Sequence, residues 1–109
     1  MLRTQKQESK ICGECPIAKT ANLVGDTFAL LMVRDLLNGP KRFGEIEKSL
    51  QGVSSRTIAK KLQFLESKNL IKKNFFKEKH PHAEYALTPH GKALHKIINS
   101  MKKYGEQYL

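Results

Sequence analysis

The stretch from Ser54 to Leu87 changes from helical to alternating periodicity, and this change constrains the possible folds more than any other feature. In its first part, apolar residues recur three and four positions apart, as on one face of a helix: Ile58, Leu62 and Leu65. Near its end, apolar residues occupy every second position, as in a half-buried strand: Ala83, Tyr85 and Leu87. An apolar segment at 70–76 can supply a partner strand, so the pattern predicts a helix followed by a β-hairpin.

Two helices are predicted near the start of the chain. The first begins after Pro16, because proline is favoured at the first helical position, and it ends before Gly25. Asp26 can cap a second helix that reaches about Asn38. Eight of the ten residues at 28–37 are apolar, so we expect this helix to be covered on nearly every side.

A short third helix and a tight turn precede the fourth helix. Apolar residues again recur at helical spacing: Phe43, Ile46 and Leu50. Residues 51–53 predict the turn, and Ser54 is a suitable N-cap for the fourth helix, which reaches about Lys68. Two helices joined by a short turn and followed by a hairpin are typical of the winged helix-turn-helix.

A last helix follows the hairpin, with Thr88 as its N-cap and Pro89 as its first residue. It carries a long apolar stripe: Leu94, Ile97, Ile98, Met101, Tyr104 and Tyr108. The stripe could be buried in the core of the monomer. Few neighbours remain to cover it, however, so we expect it to form a homodimer interface, helped by the first helix through Ile17, Ala21 and Val24. The predicted fold is mainly α with a small hairpin, in the order α-α-α-turn-α-β-β-α. A loose tail at 1–10 precedes a single domain at 11–109.

Positive charge is concentrated in the second half of the chain. Residues 54–109 hold twelve Lys and Arg and four Asp and Glu, whereas residues 1–53 hold eight and six. A basic patch gains affinity for a phosphate backbone by releasing counterions, although a solvated basic face explains the charge equally well. The longest apolar run, at 28–33, is far too short to span a membrane, so we expect nucleic acid rather than a membrane as the partner.

Two further features indicate the cellular compartment. The first ten residues contain no apolar stretch that could serve as a signal peptide. Two cysteines do not make a disulfide scaffold, so we expect the reducing cytoplasm.

The predicted fourth helix has one apolar and one polar face. Opposite its apolar residues lie the side chains of Arg56, Lys60, Gln63 and Ser67. Arginine pairs with guanine and glutamine with adenine in the major groove, and the amides of a helix N-terminus favour a phosphate. We therefore predict that this helix contacts double-stranded DNA through seven residues: Ser54, Ser55, Arg56, Thr57, Lys60, Lys61 and Gln63.

The hairpin tip at 77–82 is the second candidate for DNA contact. Its basic residues could follow a phosphate backbone or reach the minor groove: Lys77, Lys79, His80 and His82. An ordinary surface turn that carries lysines is the alternative interpretation.

Together these residues resemble the HxlR-type winged-helix transcriptional regulators. The likeness runs from Cys15 nearly to the end of the chain and is carried by five segments: 15–16 (CP), 30–43 (LLMVRDLLNGPKRF), 53–57 (VSSRT), 62–66 (LQFLE) and 84–91 (EYALTPHG). The resemblance implies a homodimer on a pseudo-palindromic operator, with the two recognition helices in successive major grooves. It also implies that the strongest candidates for contact with bases or phosphates are Ser55, Arg56, Thr57 and Lys60.

The chain departs from that family pattern at two places. Residues 26–28 read Asp-Thr-Phe where the family usually has Gly-Lys-Trp, and we expect Phe28 to keep the aromatic role in the core. An arginine is common near the wing tip where this chain has His82, which would weaken the wing contact or make it dependent on pH.

Cys12 and Cys15 form a C-x-x-C-P sequence that has three interpretations. The thiols could be inert. They could sense an oxidant or electrophile, because Pro16 places Cys15 at a helix N-terminus, where a thiolate is stabilised, and Cys12 could act as the resolving thiol. Several members of the resembled family use an N-terminal cysteine in this way. They could also form half of a zinc site, which would need two more ligands such as His80 and His82.

No enzyme motif supports catalysis. The sequence lacks H-E-x-x-H, a P-loop and G-x-G-x-x-G, and the C-x-x-C lacks the βαβ context of a thiol-disulfide oxidoreductase. We therefore expect no enzyme, no cofactor and no resident metal. The predicted function is a dimeric, sequence-specific DNA-binding regulator whose effector is an oxidant or a small molecule. The alternative is a basic winged-helix protein that binds nucleic acid without sequence preference.

Overall fold

The computed structural model describes residues 15–77 and 80–109. Six helices and two strands follow in the order α1 (Pro16–Val24), α2 (Thr27–Leu36), α3 (Phe43–Ser49), α4 (Ser55–Ser67), β1 (Ile71–Phe76), β2 (His82–Leu87), α5 (Pro89–Lys92) and α6 (His95–Tyr108). This order confirms the mainly α, winged helix-turn-helix fold. The predicted tail at 1–10 lies outside the described residues. Within those described, no helix has the length and apolar character needed to cross a bilayer.

The core forms around α2, which packs against α1, α3, α4 and β2. Four of its side chains are buried: Ala29, Met32, Val33 and Leu36. The expectation that α2 is covered on nearly every side is nevertheless wrong. Phe28 is 38% exposed, and Leu30 and Leu31 are only partly buried, so Phe28 does not take the predicted place in the core. One apolar side of α2 therefore faces outward.

The turn between α3 and α4 follows the predicted chemistry. Gly52 has φ +89°, a conformation that glycine adopts without steric cost, and the Val53 N–H donates to the Leu50 carbonyl at 3.1 Å. The Ser54 side chain then accepts from the Thr57 N–H at 3.1 Å, as an N-cap does. These contacts fix the angle at which α4 leaves the body of the protein.

The two strands pair in an antiparallel hairpin with Ile71 opposite Leu87 and Phe76 opposite His82. Lys41 adds an isolated bridge beside β2, because its N–H and carbonyl both bond Tyr85, at 2.9 and 2.7 Å. His82 was predicted in the tip but lies in β2, since its backbone continues the ladder one residue further than the apolar alternation indicates.

The single last helix of the prediction is wrong, because Ala93 and Leu94 separate α5 from α6. Thr88 caps α5 and also donates to the Asn69 carbonyl at 2.7 Å, which ties α5 to the base of the hairpin. A Cβ on Gly91 would lie 2.0 Å from the Leu70 carbonyl oxygen, so α5 packs closely on the chain between α4 and β1. The break lets α5 keep this contact while Leu94 enters the core.

Candidate nucleic-acid interface

The two predicted faces of α4 are present. Its apolar side chains are removed from water: Ile58, Leu62 and Leu65 are 0%, 1% and 0% exposed. On the opposite side Arg56, Lys60 and Gln63 are exposed, and no hydrogen bond or ion pair engages their side chains within the described parts of the chain. Because one face of α4 is buried, the opposite face keeps Arg56, Lys60 and Gln63 in solvent.

The hydroxyl groups in the N-terminal turn of α4 make hydrogen bonds within the protein that the sequence did not predict. The Ser54 hydroxyl lies 3.0 Å from that of Thr57, so both are used in capping the helix. The Ser55 hydroxyl donates to the Glu47 carboxylate of α3. An acid therefore lies beside the helix N-terminus, where the sequence predicts a phosphate. Only the packing of α3 on α4 brings Glu47 there, since no local pattern connects the two residues.

Lys61 points to the body of the protein rather than to the polar face of α4. Its ammonium group pairs with the Asp26 carboxylate, which also accepts the N–H groups of Phe28 and Ala29 at 2.9 and 3.2 Å. Burial raises the pKa of Asp26, but the hydrogen bonds from Lys61, Ala29 and Phe28 outweigh it, so the pKa lies below its ordinary value. One carboxylate thus joins the start of α2 to α4, and Lys61 is used in this contact.

The hairpin residues differ in their availability. Lys77 and His80 are exposed, and the Lys77 side chain has no polar partner among the described residues. His82 is held within the hairpin, because its ring bonds the His80 carbonyl at 2.8 Å and the Glu84 carboxylate at 3.0 Å. Lys79 lies outside the described residues. The tip therefore offers Lys77 and His80 most directly.

Sequence reasoning missed an exposed aromatic side chain on the hairpin. Phe75 is 70% exposed, although its register on β1 places it on the same face as the buried Ile71. The signal in the sequence is Ala83, the small residue opposite Phe75, which cannot cover an aromatic ring.

Cys15 is an exposed free thiol at the N-cap of α1, with Pro16 as the first helical residue. This is the predicted position at a helix N-terminus. Cys12 lies outside the described residues. In residues 15–77 and 80–109, no three His, Cys, Asp or Glu side chains cluster closely enough to hold a metal ion.

The apolar stripe of the last helix is divided between the core and the surface. Leu94 is 7% exposed and belongs to the core, so its predicted place in an interface is wrong. Ile97 and Ile98 are partly buried against that core. The remainder faces outward: Met101 is 49%, Tyr104 59% and Tyr108 64% exposed. On α1, Ile17 is 80% exposed, so both terminal helices present apolar side chains to solvent.

Comparison with known proteins identifies the family. The HxlR-like helix-turn-helix profile matches residues 23–109, which is most of the chain. The chain belongs to the HxlR-like helix-turn-helix family. It is accordingly a transcriptional regulator of the helix-turn-helix type, as the sequence predicts.

Three relatives place this HxlR-like chain among regulators. The HTH-type transcriptional regulator YodB of Bacillus subtilis is 30% identical over 95 residues, which cover 86% of this chain and 85% of YodB. The structure of reduced YodB matches with a TM-score of 0.77 and 29% identity, over 86% of this chain and 93% of the other. The structure of a MarR-family regulator from Porphyromonas gingivalis W83 matches with a TM-score of 0.82 and 33% identity, over 89% of this chain and 95% of the other. The redox regulator HypR in its oxidised form matches with a TM-score of 0.80 and 26% identity, over 87% of this chain and 98% of HypR.

We expect Asp26→Asn to lower the free energy of unfolding by about 1 kcal/mol at neutral pH. Asparagine still accepts the amide bonds at the start of α2, but it lacks the charge that pairs with Lys61. A carboxyl whose pKa is lowered by folding stabilises fully above its unfolded pKa, and this stability is lost as pH falls through the folded value. The difference from wild type should therefore shrink below about pH 4, measured by urea unfolding.

Lys61→Gln is the matched control. It should cost about as much as Asp26→Asn, and the double variant should cost little more than either one, because both remove the same pair. A difference between wild type and Asp26→Asn that stays constant on acidification would contradict this account of Asp26.

Proposed function

We propose that this HxlR-like regulator binds DNA sequence-specifically, as a homodimer on a pseudo-palindromic operator. The observation that carries the proposal is the row of Arg56, Lys60 and Gln63, exposed and unpaired opposite the buried face of α4. Because these side chains have no polar partner among the described residues, they break no hydrogen bond within the protein when they bind DNA. Their chemistry suits the base edges of a major groove.

Each side chain of the row has a distinct proposed role. Arg56 pairs with guanine, Gln63 with adenine, and Lys60 with guanine or a phosphate. Ser54, Thr57 and Ser55 hold the N-terminal turn of α4 in place through their own hydrogen bonds. The hairpin lies along the adjacent backbone and minor groove, with Lys77, Lys79 and His80 near phosphates.

The proposed dimer forms through the terminal helices. Four large apolar side chains are exposed on α1 and α6: Ile17, Met101, Tyr104 and Tyr108. The Tyr104 and Tyr108 rings lie 5.0 Å apart and form one aromatic surface. A symmetric interface on these helices would set the two α4 helices about one DNA turn, roughly 34 Å, apart.

The proposed signal is an oxidant acting at Cys15. Hydrogen peroxide would oxidise its thiol to a sulfenic acid and release water, and Cys12 or a second thiol would then condense with the sulfenic acid to a disulfide, releasing a second water. The exposed position of Cys15 at a helix N-terminus supports this step, as does the likeness to HypR, a redox regulator.

The first test is selection of binding sites from random duplex DNA at about 150 mM salt. We expect an inverted repeat with half-sites one turn apart. Arg56→Ala should then lose about 1–3 kcal/mol of binding free energy on that site and relax the preference at one base pair of each half-site. Lys96→Ala removes a charge on α6 and should leave the preference unchanged. Tight, salt-sensitive binding without any enriched sequence would instead favour the architectural alternative.

Tyr104→Glu tests the dimer. We expect a monomer by sedimentation, because the charge would lie in the centre of the apolar surface, and binding to the full inverted repeat should fall to that of one half-site. Tyr104 is 59% exposed, so the subunit itself should remain folded. Asn99→Glu introduces the same charge on the exposed side of the same helix, outside the apolar row, and this variant should remain dimeric. A dimeric Tyr104→Glu would place the interface elsewhere.

Cys15→Ser tests the signal. We expect peroxide to release the wild-type protein from its operator in a gel-shift assay and to leave Cys15→Ser bound. Cys12→Ser should still react, but it should stop at the sulfenic acid if Cys12 is the resolving thiol, as mass spectrometry would report. Equal release of Cys15→Ser and wild type would remove Cys15 as the sensor.

A further inference from the structure

We propose that Phe75 is an apolar wedge that enters the DNA minor groove beside each half-site and contributes to the specificity of binding. This inference rests on the proposed function, because it requires that α4 and the hairpin face the same duplex. It assigns the wing contact to an aromatic ring, in addition to the charged residues of the tip.

The strand register places Phe75 at the end of a row that leaves the core. Ile71, Lys73 and Phe75 lie on one face of β1, opposite Leu87, Tyr85 and Ala83 of β2. The row begins with Ile71 at 2% exposure and ends with Phe75 at 70%. An exposed phenyl ring at this position stabilises the fold very little, so packing does not account for it.

The surroundings of Phe75 are basic and apolar. The Lys73 ammonium lies 5.3 Å from the Phe75 ring centroid and 5.6 Å from that of Tyr85. A shallow groove of about 350 Å³ beside the ring is lined by Phe75, Phe76, Lys77, Pro81, His82 and Ala83. Among the described residues that line this groove none is acidic, and Lys73 and Lys77 lie beside the ring.

The opposite face of the hairpin holds a stacked aromatic pair. The Phe76 ring stacks on His82 with centroids 5.0 Å apart and planes 17° apart, and His82 in turn bonds Glu84. Phe76 therefore has an aromatic partner, whereas among the described residues Phe75 has the Lys73 cation and no stacked ring. A ring presented by a paired strand can bind without the ordering of a flexible segment.

The charge and position of this surface favour DNA over a protein partner. Lys73 and Lys77 flank the ring, and the nearest acid on β2, Glu84, is paired with His82. β1 also packs against α4, the helix that carries Arg56 and Lys60, so the hairpin and this helix belong to one packed unit. Minor-groove binding proteins insert apolar side chains between base steps while basic residues hold the phosphates.

The test compares Phe75→Ala with Lys77→Gln on the selected operator and on a random duplex, over a range of salt. We expect Phe75→Ala to weaken operator binding by about 10- to 100-fold without changing the slope of log affinity against log salt, because no charge is lost. Lys77→Gln should lower affinity and reduce the slope by about 1. Phe75→Leu should keep part of the affinity, since leucine also serves as a wedge.

A second readout locates the contact. With 2-aminopurine placed at successive positions flanking the half-site, wild type should raise the fluorescence at one step by unstacking it, and Phe75→Ala should not. Phe75→Ala that binds like wild type, or that changes the salt slope, would overturn the wedge. If wild type itself selects no operator, the proposed function fails. In that case the wedge is tested on the random duplex alone, where an unchanged affinity of Phe75→Ala would exclude it.

Discussion

The burial of three aliphatic side chains on α4 is the constraint on which the other surfaces depend. Ile58, Leu62 and Leu65 are almost fully removed from water, and burying such a side chain stabilises a fold by about 1.5–3 kcal/mol. Any rotation of α4 that hid Arg56 or Gln63 would expose part of this set to water. The position of the polar row is therefore set by the hydrophobic core, and no contact of the row itself is needed to hold it outward.

Asp26 extends that constraint to the N-terminal side of the molecule. Its carboxylate caps α2 and pairs with Lys61 of α4, and one residue, Gly25, separates Asp26 from the end of α1. Asp26 thus links the start of α2 directly to α4.

Features that depend on nearby residues were predicted from the sequence, whereas contacts between separate elements were not. The apolar spacing of Ile58, Leu62 and Leu65, the capping by Ser54 and the alternation of Tyr85 and Leu87 were predicted correctly, because each depends on neighbours within a few positions. Three contacts were not predicted: Ser55 with Glu47, Lys61 with Asp26, and the close approach of Gly91 to Leu70. Each of these contacts joins residues that only the packing of separate elements brings together.

The sequence by itself determined the order of the elements, the two faces of α4 and the concentration of positive charge in residues 54–109, because periodicity, capping and charge are local properties of the chain. Tertiary structure decided which apolar side chains are left outside. Leu94 entered the core, whereas Phe28, Phe75 and Tyr104 remained in solvent, although all four are large and apolar. The physical reason is that burial depends on what lies opposite a side chain, and a small core has room for only some of them.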